Sequence, residues 1–364
     1  MKILLVITKA EIGGAQTFIL SLAGGLKKSG CEVAVAFGEG DYLPDELQKE
    51  NIPFFYLNNL KRSKNIFSTF LFIKELKELI NKESFDIVHL NSTNTLPGVF
   101  AAKLSRIKPK TIFTVHGLSV FDPEYKASKL LKIIFKTYFK FFLRFVNKIV
   151  FVSKYNLDEA TKQNITNEGV VIYNGLEISS NYFFEKATAR HELGHLVNKN
   201  LEEYYIIGSI GRLAEQKHYD FILKNWLDIK IIKPNAKLII IGEGPERKKY
   251  EKIINDLNIN DDIFLVGEIK DASRLIKGFD LFVLPSIYEG LSVSLIEALF
   301  ADVPILASDV GGNKEVIGEE NCFKLNDNKE FSEKLKNIPK IVIANSLFSA
   351  NIMAQRYKDI YESR

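Results

Sequence analysis

Short, unbroken apolar runs alternate with longer segments of helical period along almost the whole chain. Runs rich in Ile, Val, Leu and Phe read as strands covered on both faces, which is the habit of parallel sheets flanked by helices. The first half predicts strands at Ile3–Thr8, Val33–Phe37, Phe54–Leu57, Ile87–Leu90, Thr111–Val115, Ile149–Val152 and Val170–Tyr173. Helical periods fall between them, at Gln16–Ser29, Ile66–Lys82 and Thr95–Ser105, with another helix opening at Ser153. Residues 174–204 are more polar and read as irregular. The alternation then restarts, with strands at Ile206–Ile210, Lys237–Ile241, Ile263–Leu265, Leu281–Leu284 and Ile305–Ala307, and helices clearest at Glu246–Asn258 and Val293–Phe300. The simplest architecture is α/β, two doubly wound domains joined near Asn174–Glu185. A chain of 364 residues is long enough for both cores. The last helical segment, Phe348–Tyr361, has no strand after it.

Composition narrows the setting. Two cysteines, Cys31 and Cys322, cannot make a disulfide framework or a cysteine-rich metal site, so a reducing cytoplasmic compartment is expected. No apolar run approaches the ~18 residues of a membrane span. The run Ile3–Ile7 is too short for a signal-peptide core.

The net charge of +4 is unevenly divided. Residues 1–175 hold 24 Lys+Arg against 16 Asp+Glu, leaving 25 against 29 for the rest. Much of the excess lies in residues 126–148, with seven basic residues and no acidic one. Lys132, Lys136, Lys140, Arg144 and Lys148 recur every four positions and predict one helical stripe, with Leu131, Ile134, Phe135, Tyr138, Phe142 and Phe145 on other faces. Such a stripe is either solvated or set on an anionic membrane. The missing acids and the wide apolar surface favour the membrane, and no nucleic-acid module is present to suggest that partner.

In open parallel sheets, ligands bind at the carboxyl ends of the strands, so the loops there carry the candidate chemistry. After the first strand comes Lys9-Ala10-Glu11-Ile12-Gly13-Gly14-Ala15-Gln16, whose paired glycines allow backbone to approach an anion. It is not G-x-G-x-x-G, and no acidic residue closes the second strand, which disfavours a nicotinamide cofactor. In Gly211-Arg212-Leu213-Ala214-Glu215-Gln216-Lys217, two cations at a strand exit suit a diphosphate. The segment Pro285–Glu297 runs from a buried strand through a loop into a helix opening around Leu291–Val293. Glu289 stands before that helix. Glu297 lies inside its apolar run and needs a partner, either a neighbouring cation or ligand hydroxyls.

These segments together resemble the retaining GT-B glycosyltransferases, most closely family 4. Glu289 and Glu297 fit the E-x7-E signature. Gly13-Gly14-Ala15, Thr114-Val115-His116-Gly117, Val152-Ser153, Ile172-Tyr173-Asn174-Gly175, Gly211-Arg212-Leu213 with Gln216-Lys217, Gly242-Glu243-Gly244-Pro245 and Asp309-Val310-Gly311-Gly312 follow in register. The resemblance implies two Rossmann-like domains facing each other across a cleft. Residues 1–175 would take the acceptor, 176–347 the nucleotide sugar, and the helix in 348–364 would pack back on the first domain. Arg212 and Lys217 would bind the diphosphate. Glu297 would hold the ribose, while Glu289 and the amides of Gly290, Leu291, Ser292 and Val293 would hold the sugar and phosphate. Backbone at Glu268 and Ile269 would meet the base. Gly14, beside Gly13, would approach the diphosphate, and His116 would face the reacting sugar and acceptor. The implied reaction is retaining transfer from a UDP-linked sugar to a lipid-linked or growing surface glycan, without a metal. It would take place at the cytoplasmic face of the membrane. A nucleotide-sugar 2-epimerase and an inactive sugar-nucleotide-binding protein share this architecture and stand as alternatives.

Two departures occur: His218 and Ser292 stand where the family often has Gly. His191-Glu192-Leu193-Gly194-His195 matches H-E-x-x-H, but it lies in the polar stretch and Gly194 disfavours a helix, so a zinc site is not expected. No Asp-x-Asp is present for a metal-bound diphosphate. His89 ends a strand and reads as a structural histidine.

Overall fold

A computed structural model describes residues 1–62, 65–122, 125, 127–179 and 181–363. Lys126, the first cation of the basic stretch, and Arg364 lie outside them. The chain forms two compact units, one of residues 1–177 with 346–364 and one of residues 178–345.

The first unit is built on seven strands: β1 (Lys2–Lys9), β2 (Glu32–Glu39), β3 (Phe54–Tyr56), β4 (Ile87–Leu90), β5 (Lys110–Val115), β6 (Lys148–Phe151) and β7 (Val170–Val171). They pair in the order β3-β2-β1-β4-β5-β6-β7, parallel throughout. Every residue from Ile3 to Ile7 is buried. Ile3, Leu5 and Ile7 face a core shared with the first helix, Gly14–Lys28, and the final helix, Ala350–Glu362. Leu4 and Val6 face the opposite core, filled by the helices Ile66–Glu83 and Lys129–Leu143. The two-residue period of a strand is what divides one apolar run between two cores.

The second unit holds six strands: β8 (Tyr205–Ile210), β9 (Ala236–Ile241), β10 (Ile263–Gly267), β11 (Leu281–Leu284), β12 (Ile305–Ser308) and β13 (Cys322–Phe323). Their order is β10-β9-β8-β11-β12-β13, again parallel. The strand order reverses at β1/β4 in one unit and β8/β11 in the other, the position at which doubly wound sheets offer a ligand site.

Three readings of the sequence are corrected. The stretch 174–204 is not wholly irregular, because Lys186–Val197 is a helix that buries Ala189, Leu193 and Gly194. Gly194 serves it: a Cβ there would stand 2.7 Å from the carbonyl oxygen of Lys199, so a close chain approach outweighs poor helix propensity. The basic stripe is shorter than its period suggests. Its helix ends at Leu143, Arg144 caps it and Lys148 opens β6. The guanidinium of Arg144 instead lies over the rings of Phe141 and Phe145, at 4.7 and 5.0 Å. Finally, the aromatics Phe135, Tyr138 and Phe142 pack toward the core, while Leu130, Ile133, Ile134 and Phe141 face outward.

Candidate active site

In the second unit the candidate residues gather at the exits of β8 and β11. The backbone after β8 is fixed by close contacts. Ile287 N donates to the Gln216 carbonyl at 2.8 Å and Gln216 Nε2 to the Tyr288 carbonyl at 3.0 Å, so the two loops are stitched together. Across that seam Lys217 Nζ donates to Glu289 Oε1 at 2.6 Å, and Ser286 Oγ donates to the same oxygen at 2.7 Å. Arg212, by contrast, has an exposed side chain. Gly311, at φ 55°, fits closely behind this loop. A Cβ there would meet the Glu289 carbonyl oxygen at 2.1 Å, and Gly312 N donates to Gly290 O at 3.0 Å.

The helix after β11 begins at Val293, with Ser292 as its N-cap accepting from Leu295 N. Ser292 has φ −70°, an extended conformation open to any residue, so glycine is not required there. The first amides of this helix, together with Gly290 and Leu291 before it, form an end suited to an anion. His218 also explains its departure from Gly. It takes φ 53°, the left-handed region glycine favours, and its ring donates to Asn326 Oδ1 at 2.9 Å while Nδ1 lies 3.1 Å from Asp220 Oδ1. Burial opposes its charged form, but hydrogen bonds to Asp220 and Asn326 more than offset that and raise its pKa.

Glu297 is half-buried inside its helix, and burial pushes its carboxyl up to about 7, opposed only by a hydrogen bond with Ser273. Ser273 Oγ lies 2.7 Å from Tyr182 Oη. The carboxylate's partner in the fold is thus a hydroxyl. Glu268 and Ile269 follow β10, the first exposed and the second half-buried.

In the first unit Gly13 caps the first helix and Gly14 opens it, after β1. Gln16 Nε2 donates back to the Lys9 carbonyl at 2.7 Å and closes the turn. His116 follows β5. Its ring meets the edge of Phe18 at a centroid distance of 4.7 Å, and its Nε2 is buried without a hydrogen-bond partner. Burial lowers its pKa to about 4, so the neutral ring is the resting form. His89 is a structural histidine, with Nδ1 at 2.7 Å from Tyr361 Oη and Nε2 at 2.7 Å from Thr114 Oγ1.

Ser286, Ser273, Tyr182 and Phe18 were not legible as site residues. Each touches a candidate residue, or that residue's partner, and only Ser286, three positions before Glu289, leaves a local trace. His191 and His195 share an exposed helix, with Nε2 atoms 3.2 Å apart, and among the described residues no group of three or more His, Cys, Asp or Glu could hold a metal ion.

Comparison with known proteins adds two family models. "Glycosyltransferase Family 4" matches residues 12–180 and "Glycosyl transferases group 1" matches residues 195–341. The chain is 25% identical over 312 residues (84% of it, 75% of the relative) to the UDP-Gal:alpha-D-GlcNAc-diphosphoundecaprenol alpha-1,3-galactosyltransferase of Escherichia coli. It is 26% identical to the Escherichia coli O-antigen biosynthesis glycosyltransferase WbnH, covering 98% of this chain and 97% of that one. In structure it resembles Anabaena Alr3699/HepE, crystallised with UDP and glucose, at a TM-score of 0.83 and 17% identity, with both chains covered in full.

Proposed function

This chain is a glycosyltransferase of GT-B fold, and from that premise we propose that it moves a sugar, with retention, from a UDP-linked donor to a lipid-linked or growing surface glycan. The observation that carries the reading is the Lys217–Glu289–Ser286 cluster at the strand-order reversal of the second unit, beside the exposed Arg212. Lys217 and Arg212 take the diphosphate and stabilise the charge that grows on it as it leaves. Glu289 and the amides of Gly290–Val293 hold the sugar and phosphate, Glu297 the ribose hydroxyls, and the backbone at Glu268–Ile269 the base. In the first unit the loop at Gly13–Gly14 serves the anion, and His116 the reacting sugar and acceptor. The neutral His116 ring brings a hydrogen-bonding nitrogen without a fixed charge.

With no Asp-x-Asp in the chain, Arg212 and Lys217 carry the charge that a metal would otherwise bear, so transfer is metal-independent in this reading. In this reading the leaving diphosphate serves as base for the incoming hydroxyl. Support for donor and acceptor comes from the Escherichia coli galactosyltransferase, whose name specifies UDP-Gal and a diphosphoundecaprenol acceptor, and from the UDP and glucose bound in HepE. No helix among the described residues is long and apolar enough to cross a membrane. A lipid-linked acceptor would therefore be met by peripheral contact at the cytoplasmic face. The test is a panel of nucleotide sugars assayed for nucleotide-diphosphate release, with Arg212→Ala and Lys217→Ala alongside. Near-wild-type transfer by both variants would sink the assignment.

A further inference from the structure

Two side chains at the end of β5 have opposite surroundings. Thr114 and His116, two residues apart, both point to the face of the sheet that carries the first and final helices. The Thr114 hydroxyl is doubly engaged, with His89 Nε2 at 2.7 Å and Tyr357 Oη at 2.9 Å. His89 Nδ1 in turn lies 2.7 Å from Tyr361 Oη. These four side chains are each 4% exposed or less and satisfy one another within a core of Ile3, Leu5, Ile7 and Met353. His116 is left out, because its buried Nε2 has no partner. A fully satisfied buried network fixes one arrangement of its members. The arrangement fixed here lies directly beneath the one ring nitrogen left open.

Two of the four, Tyr357 and Tyr361, come from the final helix, Ala350–Glu362, which is seated closely. A Cβ on Gly25 of the first helix would stand 2.7 Å from Ala354 Cβ and 3.1 Å from the Ala350 carbonyl oxygen. Near the other end, Lys110 Nζ, from the start of β5, donates to the Ile360 carbonyl at 2.6 Å. One turn beyond Ala354, Tyr357 reaches His116 by two routes. Its ring meets Phe18 at a centroid distance of 5.9 Å, and Phe18 meets the His116 ring at 4.7 Å, both edge to face. Its hydroxyl holds Thr114, on the strand that leads into His116.

We propose that Tyr357 is a positioning residue for His116, backing its ring through Phe18 and fixing the strand beneath it through Thr114. The final helix thereby serves the transfer site as well as the core. The inference rests on the role proposed for His116 above. A reacting group misplaced by about 1 Å can cost about 100-fold in rate, so a support this close has a measurable effect.

Two readouts on the full chain test it. The chain has five histidines, so their imidazole NMR signals can be followed one by one, with His116→Ala identifying its own. Tyr357→Leu should shift or broaden the His116 signals and leave those of His191 and His195, in the second unit, unchanged. Tyr357→Phe loses only the hydroxyl and should shift them less, which keeps the test alive should the Leu variant fail to fold. The second readout is nucleotide release from the nucleotide sugar that gives wild type its highest turnover. Turnover should fall about 10- to 100-fold in Tyr357→Leu and a few-fold in Tyr357→Phe. In a His116→Ala background neither change should lower turnover further, because a residue acting only through His116 has nothing left to position. Ile360→Ala, which opens a gap in the same core outside the network, should lower the melting temperature while turnover and the His116 signals stay as in wild type. Unmoved His116 signals in both Tyr357 variants would overturn the positioning. So would a further loss of turnover in the His116→Ala background, the mark of a merely structural tyrosine. Near-wild-type turnover by His116→Ala would instead remove His116 from the reaction, a failure of the functional reading that the NMR signals tell apart.

Discussion

Lys217 Nζ and Glu289 Oε1 stand 2.6 Å apart, with side chains only 15% and 8% exposed, so the cation proposed for the diphosphate is held by the carboxylate proposed for the sugar. Breaking such a pair leaves one charge buried alone, a cost of about 3–5 kcal/mol, whereas removing both leaves none. Lys217→Met and Glu289→Gln should therefore each lower the melting temperature of the second unit, and the double variant should recover most of the loss. Activity should not recover. Calorimetry of the three variants beside a nucleotide-release assay checks both statements, and a double variant regaining turnover would make the pair merely structural.

Arg212 separates the two roles more simply, because its side chain is exposed. Arg212→Ala should change stability by no more than about 0.5 kcal/mol. Turnover should fall by about 100- to 1,000-fold, the usual loss for one donor to a developing anion. Arg212→Lys keeps the charge but not the planar fork, so it should fall between. Equal turnover in all three proteins would remove Arg212 from the diphosphate.

The sequence made strands legible where apolar runs were unbroken: Leu281–Leu284 and the helix Val293–Phe300 stand at their expected residues. Loops at strand exits were legible for the same reason, since a strand that ends in Gly-Arg or Pro-Ser announces its own boundary. The two-residue strand Cys322–Phe323 and the helix Lys186–Val197 were not. One is too short to show a period. The other buries few apolar residues, and packing around Gly194 holds it in place of propensity. The direction of the basic helix was also hidden, because aromatic and aliphatic positions alternate round it. Only the sheet beneath decides that Phe139 turns inward and Ile133 outward.

His116 carries a pH dependence whose sign follows from its burial. Its pKa falls from 6.5 to about 4 because burial disfavours the charged ring, and His89 is lowered well below 6.5 by burial first and by His116 second. The unfolded chain then binds protons that the fold refuses. Stability is full above pH 6.5 and is lost as pH falls toward about 4. His116→Asn should flatten part of that slope, with His89 supplying the remainder. Melting temperatures between pH 7 and 4 (roughly the window set by these two values) make the comparison. An unchanged slope in the variant would mean that His116 is not buried as described.

Glu297 has the opposite sign and joins stability to function. Burial raises its carboxyl from 4.5 to about 7, so the fold holds a proton that the unfolded chain has released. Stability is greatest below pH 4.5, falls as pH rises to about 7, and stays at the lower level beyond. Glu297→Gln has no proton to lose and should melt higher than wild type at alkaline pH, with little difference in acid. The same substitution exchanges one acceptor oxygen for a donor nitrogen facing the proposed ribose hydroxyls, so stabilisation by UDP should shrink. A protein made more stable and less able to bind nucleotide by one change is the expected mark of a carboxylate kept for its ligand. Melting curves in acid and in alkali, with and without UDP, decide it. Equal UDP stabilisation in both proteins would detach Glu297 from the ribose, and identical pH profiles would show that its burial carries no charge penalty.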